Sequence, residues 1–454
     1  MKFGKTSQYL SSGGGTSMDR DTEHPITRRL RITTQPKHNN LMERVLQRDN
    51  MFQALGRVRR NKGAAGPDGM SVDELSNYLR EEWLRIKDEL QRGEYEPGGV
   101  RIVEIPKPKG GVRKISIPNV IDRLIQQAIA QVLTPIFDPD FSAHSYGFRP
   151  NRSAGQAVLS AQQFMTEGRR WVVDIDLEKF FDRINHDILM SRVARRIEDK
   201  VLLLLIRRYI KAGMMRGGLV SIRTEGAPQG GPLSPILSNV MLDDLDRELE
   251  KRGHAFCRYA DDCNIYVFSR RAGERVMDSI TEFLEKKLKL RVNGEKSAVD
   301  RPWKRTFLGY TVTINKRPRL KPSPASIKRL KQKIRVLTKR GRGQALERTA
   351  KRISRYLKGW ANYFRLCEVK KTLIEVDQWI RHRLRTIAWR QWKVPKTRCK
   401  RLVALGVEAE RAKKATATGR GPWWNGSASH MHAAYRNKDL RALGLISLFD
   451  HIIK

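Results

Sequence analysis

The sequence predicts an α+β fold, in which a body of strand hairpins alternating with helices is followed by a basic region built almost wholly of helices. Three observations predict it. Strand-like segments pair across short turns twice, Val100–Ile105 with Arg113–Ile117 and Ala255–Tyr259 with Asn264–Phe268. Beyond Pro324 the apolar pattern turns helical, through 327–339, 345–363 and 373–393. The charge shifts at the same place, with 37 basic against 8 acidic residues between Asn315 and Lys454.

Taken in order, residues 1–40 are rich in Ser, Gly and Thr around Ser11-Ser-Gly-Gly-Gly-Thr16 and read as a flexible leader. Leu41, Val45, Leu46, Phe52 and Leu55 then recur at helical spacing. The turn-rich Asn61-Lys-Gly-Ala-Ala-Gly-Pro-Asp-Gly69 ends that helix, and a second runs from Ser71 to about Gly93 with Asp73 and Glu74 near its start. The first hairpin carries Lys107, Lys109 and Arg113 around its tip, Pro106-Lys-Pro-Lys-Gly-Gly111. A helical pattern covers Asp122–Leu133, and Trp171-Val-Val-Asp-Ile-Asp176 is a strand that runs straight into acidic residues. The second hairpin has Asp261-Asp262 at its turn.

At 454 residues the chain suggests two to four units, given about 100–200 residues per domain. A hydrophobic content of 39% is enough to bury real cores. Lys and Arg number 90 against 48 Asp and Glu, a formal net charge of +42, and self-repulsion on that scale implies a polyanionic partner. The longest apolar run, Val201-Leu-Leu-Leu-Leu-Ile206, is core-sized and far short of the ~18 residues that span a bilayer. Met1-Lys-Phe-Gly-Lys5 opens no hydrophobic signal region, so the cytoplasm is the default location. Cys257, Cys263, Cys367 and Cys399 form no C-x-x-C pair and have no clustered histidines, which argues against a zinc site or a disulfide framework.

Two acidic turns carry the candidate chemistry, Asp176-Leu-Glu-Lys-Phe-Phe-Asp182 and Tyr259-Ala-Asp-Asp262. Adjacent aspartates in a turn are ordinarily solvated turn formers. Carboxylates on rigid strand ends are also what hard divalent cations need, and joining nucleotides takes two such ions about 4 Å apart, one activating the attacking hydroxyl and one holding the triphosphate. Between the turns lies Ala227-Pro-Gln-Gly-Gly-Pro-Leu-Ser-Pro235, whose glycines would let a base pair approach the backbone.

The order D-x-x-x-F-F-D from Asp176, P-Q-G-x-P-L-S-P from Pro228, Y-A-D-D from Tyr259, Asn293-Gly-Glu-Lys296 and Phe307-Leu-Gly-Tyr310 resembles the fingers and palm of a reverse transcriptase of the group II intron type. The resemblance runs from about Leu41 to the C-terminus. It implies a right-hand polymerase with a leader (1–40), fingers (41–170), a palm with an antiparallel sheet (171–314), a thumb or maturase domain (315–400) and a DNA-binding segment (401–454). The implied activity is RNA-directed DNA synthesis, on an RNA template with a DNA or RNA primer, deoxynucleoside triphosphates and two Mg2+ ions. By motif position, Asp176, Asp261 and Asp262 would be metal ligands, with the carbonyl of Leu177 a further one. Phe181 would exclude a ribose 2′-hydroxyl, though beside Phe180 it also reads as core. Gln229 would pack near the incoming nucleotide, and Lys107 and Arg113 would meet the triphosphate or be a solvated hairpin tip. Lys296 could protonate the leaving pyrophosphate or be a surface lysine. Asp174 lies on the same strand face as Asp176, but the motif selects Asp176.

The basic helical region interleaves aromatics with arginine in Leu357–Arg365, Trp379–Arg385 and Trp389–Trp392, and six of the nine tryptophans lie past residue 355. Such planes suit structured RNA. Trp360, Tyr363 and Phe364 read first as thumb core, which leaves Arg381, Arg383 and Arg385 as candidate RNA contacts. The stretch is similar to the maturase-specific thumb of group II intron proteins, and Gly421-Pro-Trp-Trp to Gly444-Leu-Ile-Ser-Leu-Phe449 is similar to their small DNA-binding segment. The resemblance thus implies group II intron RNA and target DNA as partners, splicing assistance and intron mobility, a nucleoid-associated ribonucleoprotein in the cytoplasm, and, with the chain ending at Lys454, no Cys/His nuclease domain. A domesticated reverse transcriptase in repair or defence and an RNA chaperone with a decayed polymerase site are the competing readings. The oligomeric state is open.

Overall fold

This computed structural model describes residues 37–106, 112–216, 219–221, 225–339 and 343–453. Nearly all of the expected leader, Lys107, Lys109 and the side chain of Arg113 lie outside the described residues. The strands are β1 (Val100–Pro106), β2 (Val112–Ile117), β3 (Trp171–Ile175), β4 (Met214–Arg216), β5 (Leu219–Ser221), β6 (Ala255–Tyr259), β7 (Asp262–Val267), β8 (Ala298–Asp300), β9 (Tyr310–Val312) and β10 (Leu320–Pro322). They form one sheet in the order β2-β1-β4-β5, a second in the order β6-β7-β3-β8, and the pair β10-β9. Both expected hairpins are antiparallel ladders, with Arg101 across from Ile117 in the first and Tyr259 across from Asp262 in the second. The strands β4, β5, β8, β9 and β10 have three residues each. That is too short for alternation to register in a sequence.

The second sheet is covered on both faces, and period-two alternation decides which side chain goes where. Val173, Ile175, Phe256 and Ile265 enter one core, shared with the helices Val120–Phe137 and Ser234–Lys251. Their immediate neighbours Val172, Cys257 and Tyr266 enter another. That second core contains Ala157 and Ala161 of the helix Ala154–Thr166 and the apolar faces of Pro324–Lys339, Leu346–Tyr363 and Lys370–Gln391.

Helix starts follow local chemistry. Asp199 accepts from the backbone N–H of Leu202 to cap Lys200–Lys211, and its other oxygen accepts from Met42 N at 2.8 Å, which docks the helix Leu41–Leu46. The run 201–206 is amphipathic in place, with Leu202, Leu205 and Ile206 buried and Leu204 exposed. Past residue 395 six short helices follow, and five of them, all but Pro422–Ser427, add residues to the second core. Asp377 holds the last of them, accepting from Ser447 Oγ at 2.7 Å, Leu448 N at 2.9 Å and Phe449 N at 3.0 Å.

The first core also holds a buried acid. Asp122 accepts hydrogen bonds from the Tyr95 and Tyr209 hydroxyls and from Gly98 N. Burial nevertheless pushes its carboxyl up to about 6 from an ordinary 3.8, against the lowering effect of those donors. The folded chain therefore holds a proton that the unfolded chain releases, and this stabilising contribution is lost as pH rises from about 4 through about 6. Urea titrations of the wild type and Asp122→Asn across that window are expected to show the wild type losing ground to the variant as pH rises. Parallel pH profiles would refute it.

Candidate active site

The antiparallel ladder between β3 and β7 ends with Ile175 across from Cys263, so the next residue on each strand is an aspartate, Asp176 on one and Asp262 on the other. The turn of the β6–β7 hairpin, Ala260-Asp261, adds the third carboxylate and exposes it. Ala260 is left-handed, with φ of 57°, a conformation that costs a residue with a Cβ on the order of 1 kcal/mol. Arg258 explains why it holds. Its side chain is fully buried and all five N–H groups are bonded: to both Asp246 oxygens at 2.7 and 2.6 Å, to Asn239 Oδ1, to Ser145 Oγ and to Ala260 O at 2.9 Å. A buried ion pair thus fixes the turn that presents Asp261 and Asp262.

The carboxylates sit close enough to disturb one another. Burial, then the charges of Asp174, Asp261 and Asp176, push the Asp262 carboxyl up to about 8, with Arg305 opposing. Arg305 donates twice to Asp174 Oδ2, at 2.8 and 2.5 Å, and once to the carbonyl of Lys296 at 2.6 Å. Asp174, the alternative on the same strand face, is therefore engaged by a guanidinium. Lys296 Nζ donates to Asp176 Oδ1 at 3.0 Å. The backbone around Asp176 is pinned as well, its carbonyl accepting from Asn293 N and its N–H donating to Ser297 Oγ. Leu177 is buried and bridges Val292. Among the described residues no group of three or more Asp, Glu, His or Cys side chains is already arranged to hold a metal ion. With Lys296 on Asp176, the donor set has the right chemistry for a hard cation but is not drawn together around one.

Phe181 packs edge-on against the buried Phe180, with ring centroids 5.1 Å apart, and stays half-buried itself. Its carbonyl accepts from Ala227 N at 2.7 Å, which seats the Pro228-Gln229-Gly230 turn against it, and Gln229 O accepts from Ser116 N of β2. The glycine freedom in this turn serves the protein itself: at Gly230, φ 136°, a Cβ would lie 2.4 Å from Ser116 O.

In the helical region two of the three candidate arginines are half-buried. Arg381 is one, and Arg383 donates to Thr338 Oγ1 and lies over the Trp379 ring, which Lys331 and Arg335 also approach. Arg385 corrects the sequence expectation. It is 3% exposed, donates to Tyr435 O at 2.9 Å, and burial beside Arg381 lowers its guanidinium to about 10, so it ties the C-terminal helices to the thumb and has no face for RNA. Trp360 and Phe364 are core as expected, whereas Tyr363 is exposed and donates to Leu308 O. Arg258, Asp246 and Arg305 were missed; an arginine inside the apolar strand Phe256-Cys-Arg-Tyr259 was the available signal for the first.

Residues 105–312 match the reverse transcriptase (RNA-dependent DNA polymerase) family, and residues 327–404 match the group II intron maturase-specific domain. The chain is 34% identical over 314 residues to Protein YkfC of Escherichia coli K12, an alignment covering 60% of this chain and 79% of that protein. It is 34% identical over 204 residues to the group II intron-encoded protein LtrA of Lactococcus lactis subsp. cremoris, covering 45% of this chain and 34% of LtrA. The chain thus spans about a third of that longer relative. Reverse transcriptases generally use divalent metal ions, and both matched domains imply nucleic-acid partners. No helix among the described residues is long and apolar enough to cross a membrane. The motif order, the paired strand ends and the two matched domains agree: the chain belongs to the group II intron reverse transcriptase/maturase family, an RNA-directed DNA polymerase joined to a maturase-specific domain.

Proposed function

We propose that Asp176, Asp261 and Asp262 are the metal ligands of the polymerase, holding two Mg2+ ions, and that the chain binds group II intron RNA to assist splicing and mobility. The observation that carries the first part is the placement of Asp176 and Asp262 one step past the last paired residues of β3 and β7, with Asp261 beside them. The carboxylates fit such ions by chemistry: oxygen donors only, on rigid strand ends, crowded enough that Asp262 resists carrying its charge without a cation nearby. The ions would supply activation of the primer hydroxyl and neutralisation of the triphosphate. For this Asp176 must exchange Lys296 for metal, which leaves the lysine amine beside the site and able to protonate the leaving pyrophosphate. The Leu177 carbonyl is a further candidate ligand, and Gln229 a neighbour of the incoming nucleotide. Lys107 and Arg113 are proposed for the triphosphate on motif position alone. An RNA template, a DNA or RNA primer and deoxynucleoside triphosphates are the substrates in this reading.

Phe181 is the proposed sugar gate. Phe181→Ala is expected to raise incorporation of ribonucleotides relative to deoxynucleotides by roughly 10- to 100-fold, read by competitive single-nucleotide extension. An unchanged ratio would reduce Phe181 to packing against Phe180.

For RNA, the half-buried Arg381 and Arg383 remain candidates, Arg383 on a basic face with Lys331, Arg335 and Trp379. Affinity for the intron RNA is expected to fall on the order of 10³-fold between about 50 and about 200 mM salt, because each neutralised phosphate releases counterions. Filter binding with intron RNA and with an unrelated RNA of equal length tests this. Equal affinity for the two would remove the maturase part while leaving the polymerase intact. Target DNA binding by 401–454 is proposed on resemblance.

A further inference from the structure

Close to the Ala260-Asp261 turn lies an aromatic residue that neither the motifs nor the chemistry above uses. Phe148 is 53% exposed and has a φ of 58°. Each property is unfavourable for a phenylalanine: about half of the residue stays in water, and the left-handed backbone crowds its Cβ. Both persist because the flanking residues are fixed from below. On one side, Asn239 Nδ2 donates to Gly147 O at 2.9 Å, and Asn239 is itself held by Arg258. Gly147 lies so close to the hairpin that a Cβ there would sit 2.3 Å from Ala260 N. On the other side, the buried Arg149 donates to Asp138 Oδ1, Asp138 O, Ser142 O and Ser145 O. The preceding segment adds to the edge of the sheet, with Tyr146 N donating to Arg258 O and Arg258 N to His144 O. Two buried arginines thus hold an exposed, strained ring beside the carboxylate turn.

The ring packs at 6.5 Å, tilted by 46°, on Tyr259, the residue paired with Asp262 across the hairpin. Tyr363, also exposed, donates to Leu308 O and lies near the same turn, close enough for the Asp262 carboxylate to act on it. Strain maintained by an over-determined surround is a mark of a functional position, and an exposed aromatic beside a polymerase site has one obvious ligand, the flat face of a base or sugar. We propose that Phe148 is a primer–template binding residue, its ring packing against the nucleotide at the primer 3′ end and seating that end over Asp261 and Asp262. This rests on the polymerase reading of the site.

The test compares the wild-type chain with Phe148→Gly and Phe148→Trp, using an RNA template annealed to a DNA primer that ends in 2-aminopurine. Glycine accepts the left-handed backbone, so Phe148→Gly is expected to melt no lower than the wild type. Its primer–template dissociation constant is expected to rise at least about tenfold, and the quenching of the terminal 2-aminopurine on binding to be lost. Phe148→Trp is expected to restore both. The proposal is overturned if Phe148→Gly binds within about twofold of the wild type with the same quenching, or if its melting temperature falls in step with its binding. The binding and fluorescence measurements need no catalysis. A wild type that binds and quenches but does not extend the primer would overturn the polymerase reading and leave Phe148 as a binding residue.

Discussion

Asp261→Ala and Asp262→Ala are each expected to lower single-turnover primer extension on an RNA template by on the order of 10³-fold or more, equivalent to about 4 kcal/mol of transition-state stabilisation. The reason is geometric. The two residues sit at the end of a hairpin whose turn is fixed by a fully bonded buried arginine, so neighbouring side chains cannot swing in to replace a lost carboxylate. The same substitutions should leave the fold intact. Burial and three neighbouring carboxylates already disfavour a charge at Asp262, so the uncharged Asp262→Asn is expected to melt no lower than the wild type while losing extension. RNA affinity should persist in both variants, because the basic helical region is untouched. Activity in Asp262→Ala within tenfold of the wild type would sink the metal-ligand assignment.

The largest expected effect on stability lies directly beneath. Asp246→Ala leaves the Arg258 guanidinium buried without its carboxylate partner, which typically costs about 3–5 kcal/mol, a large part of the roughly 5–15 kcal/mol that holds a domain together. The loss should also spread to function, since Arg258 bonds Ala260 O, Asn239 and Ser145. Urea unfolding monitored through the palm, together with hydrogen exchange in β6 and β7, measures it. The double variant Arg258→Met with Asp246→Leu should recover much of the stability, because the cost comes from an unpaired buried charge. It should not recover extension, because the turn loses its anchor. If Asp246→Ala unfolds at the wild-type urea concentration, the ion pair is not what holds the hairpin.

The carboxylates and hairpins were legible in the sequence because they obey local rules. Short apolar runs rich in β-branched and aromatic residues, bounded by turns, mark β1, β2, β3, β6 and β7, and acidic residues following apolar strands mark the turn. What holds those carboxylates was not legible. Asp246 lies in a helix and Arg258 in a strand, and nothing in their spacing says that the two side chains meet in the interior. Arg385 failed for the related reason that a helical arginine pattern shows periodicity but not which face is covered. The short helices past residue 395 cover that face through Tyr435, and none is long enough to announce itself. Phe148 was invisible because its signature is a backbone angle.

The sheet flanked by two cores has a consequence for how this chain tolerates changes in length. Along β3, Val172 and Val173 belong to different cores, and the same division recurs at Phe256 with Cys257 and at Ile265 with Tyr266. A single inserted or deleted residue in β3 would exchange the two sets, sending the side chains of each core toward the other, and would rotate Asp176 away from Asp262. The register of these five residues is fixed from both sides at once.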